Sequence, residues 1–521
     1  MTNNAHMDAM PPITETDAWA ELAALSEQLR QTDLRAMFAS DPGRGGALSF
    51  EFDGLWLDLS RQKITGEVIR SLAGLAEAAG LAARRRALFA GETVNVTEGR
   101  AAMHPALRDN GSLTPAAFAD TAWQQRERFL AFAEEVRSNG FKDVVNIGIG
   151  GSHVGPMTAT TALARSDAGI RVHYVANVDG VDLTDALTGL DASRTLFLVA
   201  SKTFTTAETM ANARSARAWL AAALGEGAVG DHFAALSAAP DRAAEFGIRG
   251  DRVFPFEDWV GGRFSLWSAV GTSTAIAIGR EGFEDMLRGA HTVDRHFTEA
   301  PADANLPVLL ALVDFWNRNF LGLPVRAVLP YDERLRHLPA YLQQLEMESN
   351  GKGVTLSGDP VAASPAAVVF GMTGTNGQHA FHQMLHQGAP LAAAEFIGVA
   401  QPGHALAGHH EILLANMLAQ AEALAVGTKK VSTPHQHCPG DRPSSVILLR
   451  RLDPFHLGVL LALYEHKVFV EGVLTGVNSF DQYGVELGKT LAGPLLGAIE
   501  TGAGAGPVSA AALKRLGDWS T

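Results

Sequence analysis

Short apolar segments alternate with helical stretches in two parts of this 521-residue chain, and no other feature limits its fold as strongly. Each apolar segment stops at a polar or glycine-containing loop, and a helical pattern follows. Buried strands that alternate with helices are typical of a parallel sheet covered on both faces. The predicted strands are residues 144–147, 172–175, 196–199, 325–329, 367–370, 395–399 and 445–449. The sequence therefore predicts two doubly wound parallel-sheet α/β domains.

The chain is too long for one compact core, so several domains are expected. A two-step alternation of apolar residues at 48–59, inside an Ala/Leu-rich helical pattern, predicts a hairpin. A Gly/Ala-rich stretch at 502–507 predicts a flexible segment before a last short helix. We divide the chain into an N-terminal helical arm (1–120), a first α/β domain (121–290), a second α/β domain (305–495) and a C-terminal tail (496–521).

Composition excludes several classes of function. The formal net charge of −14 argues against general nucleic-acid binding, which needs a basic surface. It does not exclude an anionic substrate, because a small anion feels mainly its own pocket. No segment approaches the ~20 apolar residues of a membrane span, and residues 1–17 lack the pattern of a secretory signal. The only cysteine, Cys438, cannot form an intramolecular disulfide, which fits a cytoplasmic protein.

Two loops that follow predicted strands are candidate anion sites. Gly148, Gly150, Gly151 and Ser152 lie where a strand ends and a helix begins, so backbone N–H groups there can bind an anion. The same glycines also resemble a dinucleotide fingerprint, with Asp179 downstream, which leaves a nicotinamide-dependent dehydrogenase as an alternative.

The second loop contains four hydroxyl residues and a lysine. A hydroxyl at the start of a helix can simply cap it, but capping uses one hydroxyl and this loop has several. A phosphate group accepts that many hydrogen bonds, so the loop predicts a phosphate site. Its candidate residues are Ser201, Lys202, Thr203, Thr205 and Thr206.

A carboxylate and a guanidinium group are the candidates for chemistry. Glu348 ends a helical pattern just before a Ser-Asn-Gly turn, and Gln344 lies one turn earlier on the same face. Glu346, two positions before Glu348, points to roughly the opposite side of a helix. Arg263 follows two glycines and is flanked by aromatic residues. Arginine stays charged, so it can stabilise a developing oxyanion without acting as an acid.

Histidines offer a metal site as an alternative. His379, His382 and His386 are spaced i, i+3 and i+7 on a helix predicted at 378–386, but no carboxylate partner is close in sequence. Residues 409–411 and 435–438 also contain histidines, but their spacing fits no strong metal template. We expect no metal.

Four segments in this order resemble the glucose-6-phosphate isomerase family: residues 201–206, 261–265, 341–352 and 480–489. The resemblance extends from about residue 148 to 489 and departs from the family pattern mildly, at Cys438 and Asp441. It implies two sugar-isomerase (SIS) domains, a homodimer and no cofactor. It also implies that Gly151, Ser152 and Gln344 contact the substrate and that Ser201 to Thr206 bind its phosphate.

The resemblance further implies a reaction. Glucose 6-phosphate and fructose 6-phosphate would interconvert by ring opening and a cis-enediol(ate) intermediate, in glycolysis and gluconeogenesis. Glu348 would be the base, Arg263 with Gln482 would stabilise the enediolate, and Lys489 would open the ring together with His386 of a neighbouring subunit. The remaining alternatives are a non-catalytic sugar-phosphate sensor and an isomerase that also accepts mannose 6-phosphate.

Overall fold

The computed structural model describes residues 12–165, 169–501 and 506–519. The chain divides into two compact units, Met1–Ser479 and Phe480–Thr521. The flexible segment expected at 502–507 falls mostly outside the described residues, which omit 502–505. No helix among the described residues is both long enough and apolar enough to cross a membrane.

The strands of the described residues all belong to the first unit. They are β1 (Ser49–Phe52), β2 (Leu55–Asp58), β3 (Asp143–Gly148), β4 (Arg171–Val175), β5 (Thr195–Ala200), β6 (Phe233–Leu236), β7 (Val253–Phe254), β8 (Val325–Tyr331), β9 (Val368–Gly371), β10 (Ala392–Val399) and β11 (Ser444–Leu449).

The α-helices of the first unit cover both sheets. They are α1 (Asp17–Arg30), α2 (Leu34–Ser40), α3 (Arg44–Ala47), α4 (Gly66–Ala78), α5 (Leu81–Phe89), α6 (Ala116–Ser138), α7 (Val154–Leu163), α8 (Gly180–Leu187), α9 (Ala207–Leu224), α10 (Val229–His232), α11 (Pro240–Phe246), α12 (Thr272–Glu299), α13 (Leu306–Asn319), α14 (Leu338–Leu342), α15 (His382–Gln387), α16 (His409–Val426) and α17 (Pro454–Thr475). The second unit contains α18 (Glu486–Thr501) and α19 (Ala510–Trp519).

The first sheet is parallel throughout, with the strand order β4-β3-β5-β6-β7. Every residue of β3 and β5 is buried, because apolar side chains on both faces of these strands are covered by helices. The chain leaves β3 for β4 on one side and then returns to β5 on the other side. In sheets of this kind, ligands bind beyond the carboxyl ends of the strands at such a switch point.

The second sheet has the order β1-β2-β11-β10-β8-β9. Strands β8 to β11 are parallel, whereas β2 pairs antiparallel with β11. The hairpin predicted at 48–59 is therefore confirmed as β1 and β2, and it extends the second sheet. The α/β fold class with parallel sheets, predicted from the alternation, is confirmed.

Helix α17 is buried along nearly its whole length, although it contains Glu465, Lys467 and Glu471. One prediction in this unit was wrong, and two strands were missed. The helix expected at 378–386 is broken: a 3-10 turn ends at His379, and α15 begins at His382. Phe381 interrupts it with φ −136°, and its ring packs against Phe370 at 5.0 Å. The short strands β6 and β7 were not predicted.

Candidate active site

The two candidate anion loops leave neighbouring strands at the same edge of the first sheet. Gly148, the last residue of β3, is the register partner of Ala200, the last residue of β5. The glycine loop makes a 3-10 turn at Gly150–Ser152, and Asn146 fixes it by donating from Nδ2 to the carbonyl oxygen of Ser152 at 3.1 Å. The loops therefore begin side by side at the switch point.

Glycine 151 allows the first loop to touch the segment that contains Arg263. A Cβ atom on Gly151 would lie 1.9 Å from the carbonyl oxygen of Gly262 and 2.8 Å from the backbone nitrogen of Arg263. A Cβ on the preceding Gly150 would lie 3.2 Å from Nε2 of Gln344. The fold thus brings the glycine loop, Arg263 and Gln344 together, although these residues are far apart in sequence.

The hydroxyl groups of the second loop do not cap the helix that follows. Thr206 is the N-cap residue of α9, but its side chain makes no capping hydrogen bond. Its Oγ1 instead lies 3.1 Å from Oγ of Ser201, and Thr203 and Thr205 pair their hydroxyls at 2.7 Å. Phe204 has a left-handed φ of 54° and a buried ring, which pins the loop to the core. The N-terminus of α9 therefore lacks a side-chain cap, and such a helix N-terminus can bind an anion.

Lys202 connects this loop to the arginine segment. Its ammonium group donates to the carbonyl oxygens of Asp258 at 3.1 Å and Val260 at 3.3 Å. Burial, together with the positive charge of Arg100, lowers the pKa of Lys202 to about 8. An anion bound nearby would favour the charged form.

Arg263 lies in a 3-10 helix, Gly262–Trp267, and its side chain is 1% exposed. Its guanidinium group donates from Nε to Oγ of Ser349 at 2.5 Å and from Nη2 to the carbonyl oxygen of Ser479 at 2.6 Å. Its Nη1 donates to Oε1 of Glu348 at 3.1 Å. These bonds fix a permanent positive charge directly beside the candidate base.

Glu348 is the last residue of a π-helical turn, Gln343–Glu348, that continues α14. Single π-helical turns are rare and occur frequently at functional sites. The second carboxylate oxygen of Glu348 accepts from Nε2 of Gln344 at 3.0 Å. With its side chain 23% exposed, Glu348 is a carboxylate oriented by two donors and still accessible to a substrate.

Glu346 points away from the site. It is buried between Arg326 of β8 and Lys467 of α17. The carboxylates of Asp314, Glu346 and Glu471 lie close enough together to hold a metal ion, but the ammonium group of Lys467 already bonds to all three. Among the described residues, the histidine segments at 379–386, 409–411 and 435–438 form no such group.

Three further candidate residues are described by their own contacts. His386 is half-buried, and its Nε2 lies 2.8 Å from Oε1 of Gln420. The described residues show no hydrogen bond from His386 to Glu348 or Arg263. Gln482 and Lys489 belong to the second unit, where Lys489 pairs with Glu486 of α18 at 2.9 Å.

The sequence analysis missed the two residues that hold Arg263. Ser349 directly follows Glu348 in the Ser-Asn-Gly turn, so its position next to the candidate base was a usable signal. Ser479 contributes a backbone carbonyl from 216 positions away, and no sequence pattern marks such a group.

An enzyme that moves a proton along a sugar phosphate needs an anion site and a fixed carboxylate near each other. The first unit has candidates for both at the switch point of a parallel sheet, and such a combination of fold and site is expected of a phosphosugar isomerase. The family model described as phosphoglucose isomerase matches residues 58–510. The chain belongs to this family.

Several proteins are similar to this one over almost the whole length of the chain. A glucose-6-phosphate isomerase of Anaeromyxobacter sp. (strain K) is 50% identical, with 95% of each chain covered. One of Rhizobium meliloti (strain 1021) is 49% identical, covering 92% of this chain and 94% of the relative. The crystal structure of a glucose-6-phosphate isomerase from Chlamydia trachomatis D/UW-3/Cx is 32% identical, with a TM-score of 0.88 over 98% of this chain and 100% of that one.

Proposed function

We propose that Glu348 carries the proton in the reversible isomerisation of glucose 6-phosphate and fructose 6-phosphate, the reaction of the family to which the chain belongs. The observation that carries this proposal is the position of the Glu348 carboxylate, held between Arg263 and Gln344 and partly open to solvent. The aldose and the ketose interconvert when one carbon-bound proton moves between C2 and C1 and one hydroxyl proton moves between the oxygens on the same two carbons. A single carboxylate can remove the carbon-bound proton from one carbon and return it to the other.

Arg263 stabilises the intermediate. Loss of the carbon-bound proton places negative charge on the adjacent sugar oxygen and gives a cis-enediolate. A buried guanidinium group remains charged and needs no reorganisation when that charge develops. Its two other nitrogen atoms donate to Ser349 and Ser479, so the side towards Glu348 keeps its geometry. We assign Gln482 to the same stabilisation, as the family resemblance implies.

The loops at the switch point bind the phosphate end of the substrate. Ser201, Thr203, Thr205 and Thr206 supply hydroxyl donors, and Lys202 supplies positive charge. Gly151 and Ser152 contact the sugar from the neighbouring loop. Binding energy gained at the phosphate, away from the reacting carbons, orients C1 and C2 against Glu348.

Ring opening requires a second acid–base pair, because hexose phosphates are mostly cyclic. We assign this step to Lys489 and to His386 of a neighbouring subunit in a homodimer. The position of His386 supports this, since within one chain it pairs with Gln420 and not with Glu348. The enzyme acts in the cytoplasm, in glycolysis and gluconeogenesis, without a metal or cofactor. No observation favours a sensor, a dehydrogenase or activity on mannose 6-phosphate.

The decisive experiment measures the conversion of fructose 6-phosphate to glucose 6-phosphate by the protein without added metal. A coupled dehydrogenase reports the product. Loss of a general base costs about 10²- to 10⁴-fold, so Glu348→Gln should lose activity on that scale. Glu281→Gln removes an exposed carboxylate on α12 and is the matched control. Wild-type rates in both variants would place the base elsewhere. An inactive wild type that still binds the sugar phosphate would indicate a sensor.

A further inference from the structure

Glu346 lies on the inner face of the π-helical turn that ends at Glu348. Its side chain is 1% exposed, and cations from two elements bind its two oxygens. Arg326 of β8 pairs with Oε1, and Lys467 of α17 donates to Oε2 at 3.2 Å. Since a π-helical turn is not the conformation that the backbone prefers, contacts with neighbouring elements must determine where its side chains point.

A second anchor lies on the other side of Glu348. Asn350 donates from Nδ2 to the carbonyl oxygen of Val468 at 2.8 Å, and Val468 directly follows Lys467 on α17. Oδ1 of Asn350 accepts from Oγ of Ser479 at 2.7 Å. The residues two positions before and two positions after Glu348 are thus attached to consecutive residues of one buried helix.

The same helix also holds the segment of Arg263. Glu465 of α17 accepts from the indole Nε1 of Trp267 at 2.7 Å, and Trp267 ends the 3-10 helix that contains Arg263. Ser479, which is bonded to Asn350, accepts from Arg263 through its carbonyl oxygen. Helix α17 is therefore a common support for both the carboxylate and the guanidinium group.

The charges around Glu346 allow this support to be tested. The buried cluster consists of the cations Arg318, Arg326 and Lys467 and the carboxylates Asp314, Glu346, Glu395 and Glu471. Carboxylates exceed cations by one, and burial raises the pKa of Glu471 above its ordinary value. Replacing one glutamate by glutamine leaves three groups of each sign, so such a variant does not strand a buried cation.

We propose that Glu346 is a positioning residue for the isomerisation: its ion pairs with Arg326 and Lys467 hold the π-helical turn so that the carboxylate of Glu348 stays against Arg263. This inference rests on the proposed function of Glu348. A positioning role does not require Glu346 to touch the substrate. Replacing Glu346 should therefore slow the proton-transfer step and leave substrate binding unchanged.

The test compares Glu346→Gln with Glu471→Gln. Both variants remove one carboxylate from the same cluster and one bond to Lys467, but only Glu346 belongs to the turn of Glu348. A displacement of about 1 Å can cost 10²-fold in rate, so kcat of Glu346→Gln should fall by about 10- to 10²-fold with KM unchanged. Its deuterium isotope effect with glucose 6-phosphate labelled at C2 should rise above that of the wild type. Glu471→Gln should retain wild-type values of all three quantities.

The outcomes separate this inference from the proposed function. If Glu348→Gln is inactive but Glu346→Gln has wild-type kcat and isotope effect, only the positioning role is refuted. Equal losses in Glu346→Gln and Glu471→Gln would refute it too, because the effect would then belong to the cluster as a whole. If Glu346→Gln fails to fold, Glu346→Asp gives the same test: the carboxylate is kept on a side chain one methylene shorter, so its ion pairs are strained, and a smaller fall in kcat at constant KM is expected. Wild-type kcat in a folded Glu346→Asp would then count against the role.

Discussion

Replacing Gly151 by alanine tests whether the contact between two loops sets the geometry of the site. The added Cβ would lie 1.9 Å from the carbonyl oxygen of Gly262, whereas non-bonded atoms of this kind pack at roughly 3.5 Å. Because the obstacle is backbone, the two loops must separate by about 1.6 Å, and no side chain can rotate away to relieve the clash.

Both stability and catalysis should respond. Overpacking costs typically about 1–3 kcal/mol, so the free energy of unfolding should fall by that amount. The movement displaces the backbone of Arg263, whose nitrogen is 2.8 Å from the same added atom. A displacement of this size in a positioning contact can cost about 10²-fold in rate, so Gly151→Ala should lose at least that factor in kcat/KM.

Gly262→Ala is the matched control, since it lies on the other side of the same contact and its added Cβ would meet nothing within 4 Å. Denaturant unfolding and the coupled assay should show Gly262→Ala close to wild type in both quantities. Equal activities in the two variants would refute the view that this close approach sets the position of Arg263.

Two further predictions concern the phosphate loop and the subunit arrangement. Because the pKa of Lys202 is lowered to about 8 in the free enzyme, this lysine loses its charge as the pH rises through 8, and KM for the sugar phosphate should rise there. Lys202→Met should show a high KM that does not depend on pH in this range. A wild-type KM that stays constant through pH 8 would contradict the assignment of Lys202 to phosphate binding. If His386 serves the neighbouring subunit, Glu348→Gln and His386→Ala should each be inactive alone but recover about a quarter of the wild-type activity when they are refolded together in equal amounts. Half of the dimers are then mixed, and each mixed dimer has one intact site of two. No recovery would place His386 and Glu348 of one chain in the same site.

The sequence predicted those parts of the fold that local patterns encode. Strands β3 and β5 were found within about a residue at each end because their apolar runs stop at Gly148 and Ser201. Strand β7 has only two residues and β6 contains two alanines, so neither gives a distinct apolar pattern. The break between His379 and His382 depends on the packing of Phe381 against Phe370, a tertiary contact that a periodic pattern does not reveal.

In the candidate site too, local motifs could be recognised in the sequence, whereas tertiary contacts could not. Glu348, Arg263 and the loop of Ser201 lie in local motifs with recognisable residue types, so the sequence could mark them as candidates. The partners that fix them could not be identified: Ser349 and Ser479 meet Arg263 across 86 and 216 positions. Lys467 and Glu471 are spaced i, i+4, a pattern that ordinarily predicts an exposed ion pair on a helix surface. In the fold both are buried, because α17 packs between α12 and α13.

The burial of the charged cluster around Lys467 is best explained by its contacts with the turn of Glu348. A well-packed apolar cluster in place of buried ion pairs is often as stable or more stable, so stability alone does not account for the four carboxylates and three cations behind the site. An apolar contact is non-directional and would let the turn of Glu348 slide along α17. Ion pairs and hydrogen bonds from Glu346 and Asn350 to Lys467 and Val468 fix one register. A single register is what the proposed role of Glu348 needs, because a base that reaches two adjacent carbons of one substrate must not move relative to Arg263.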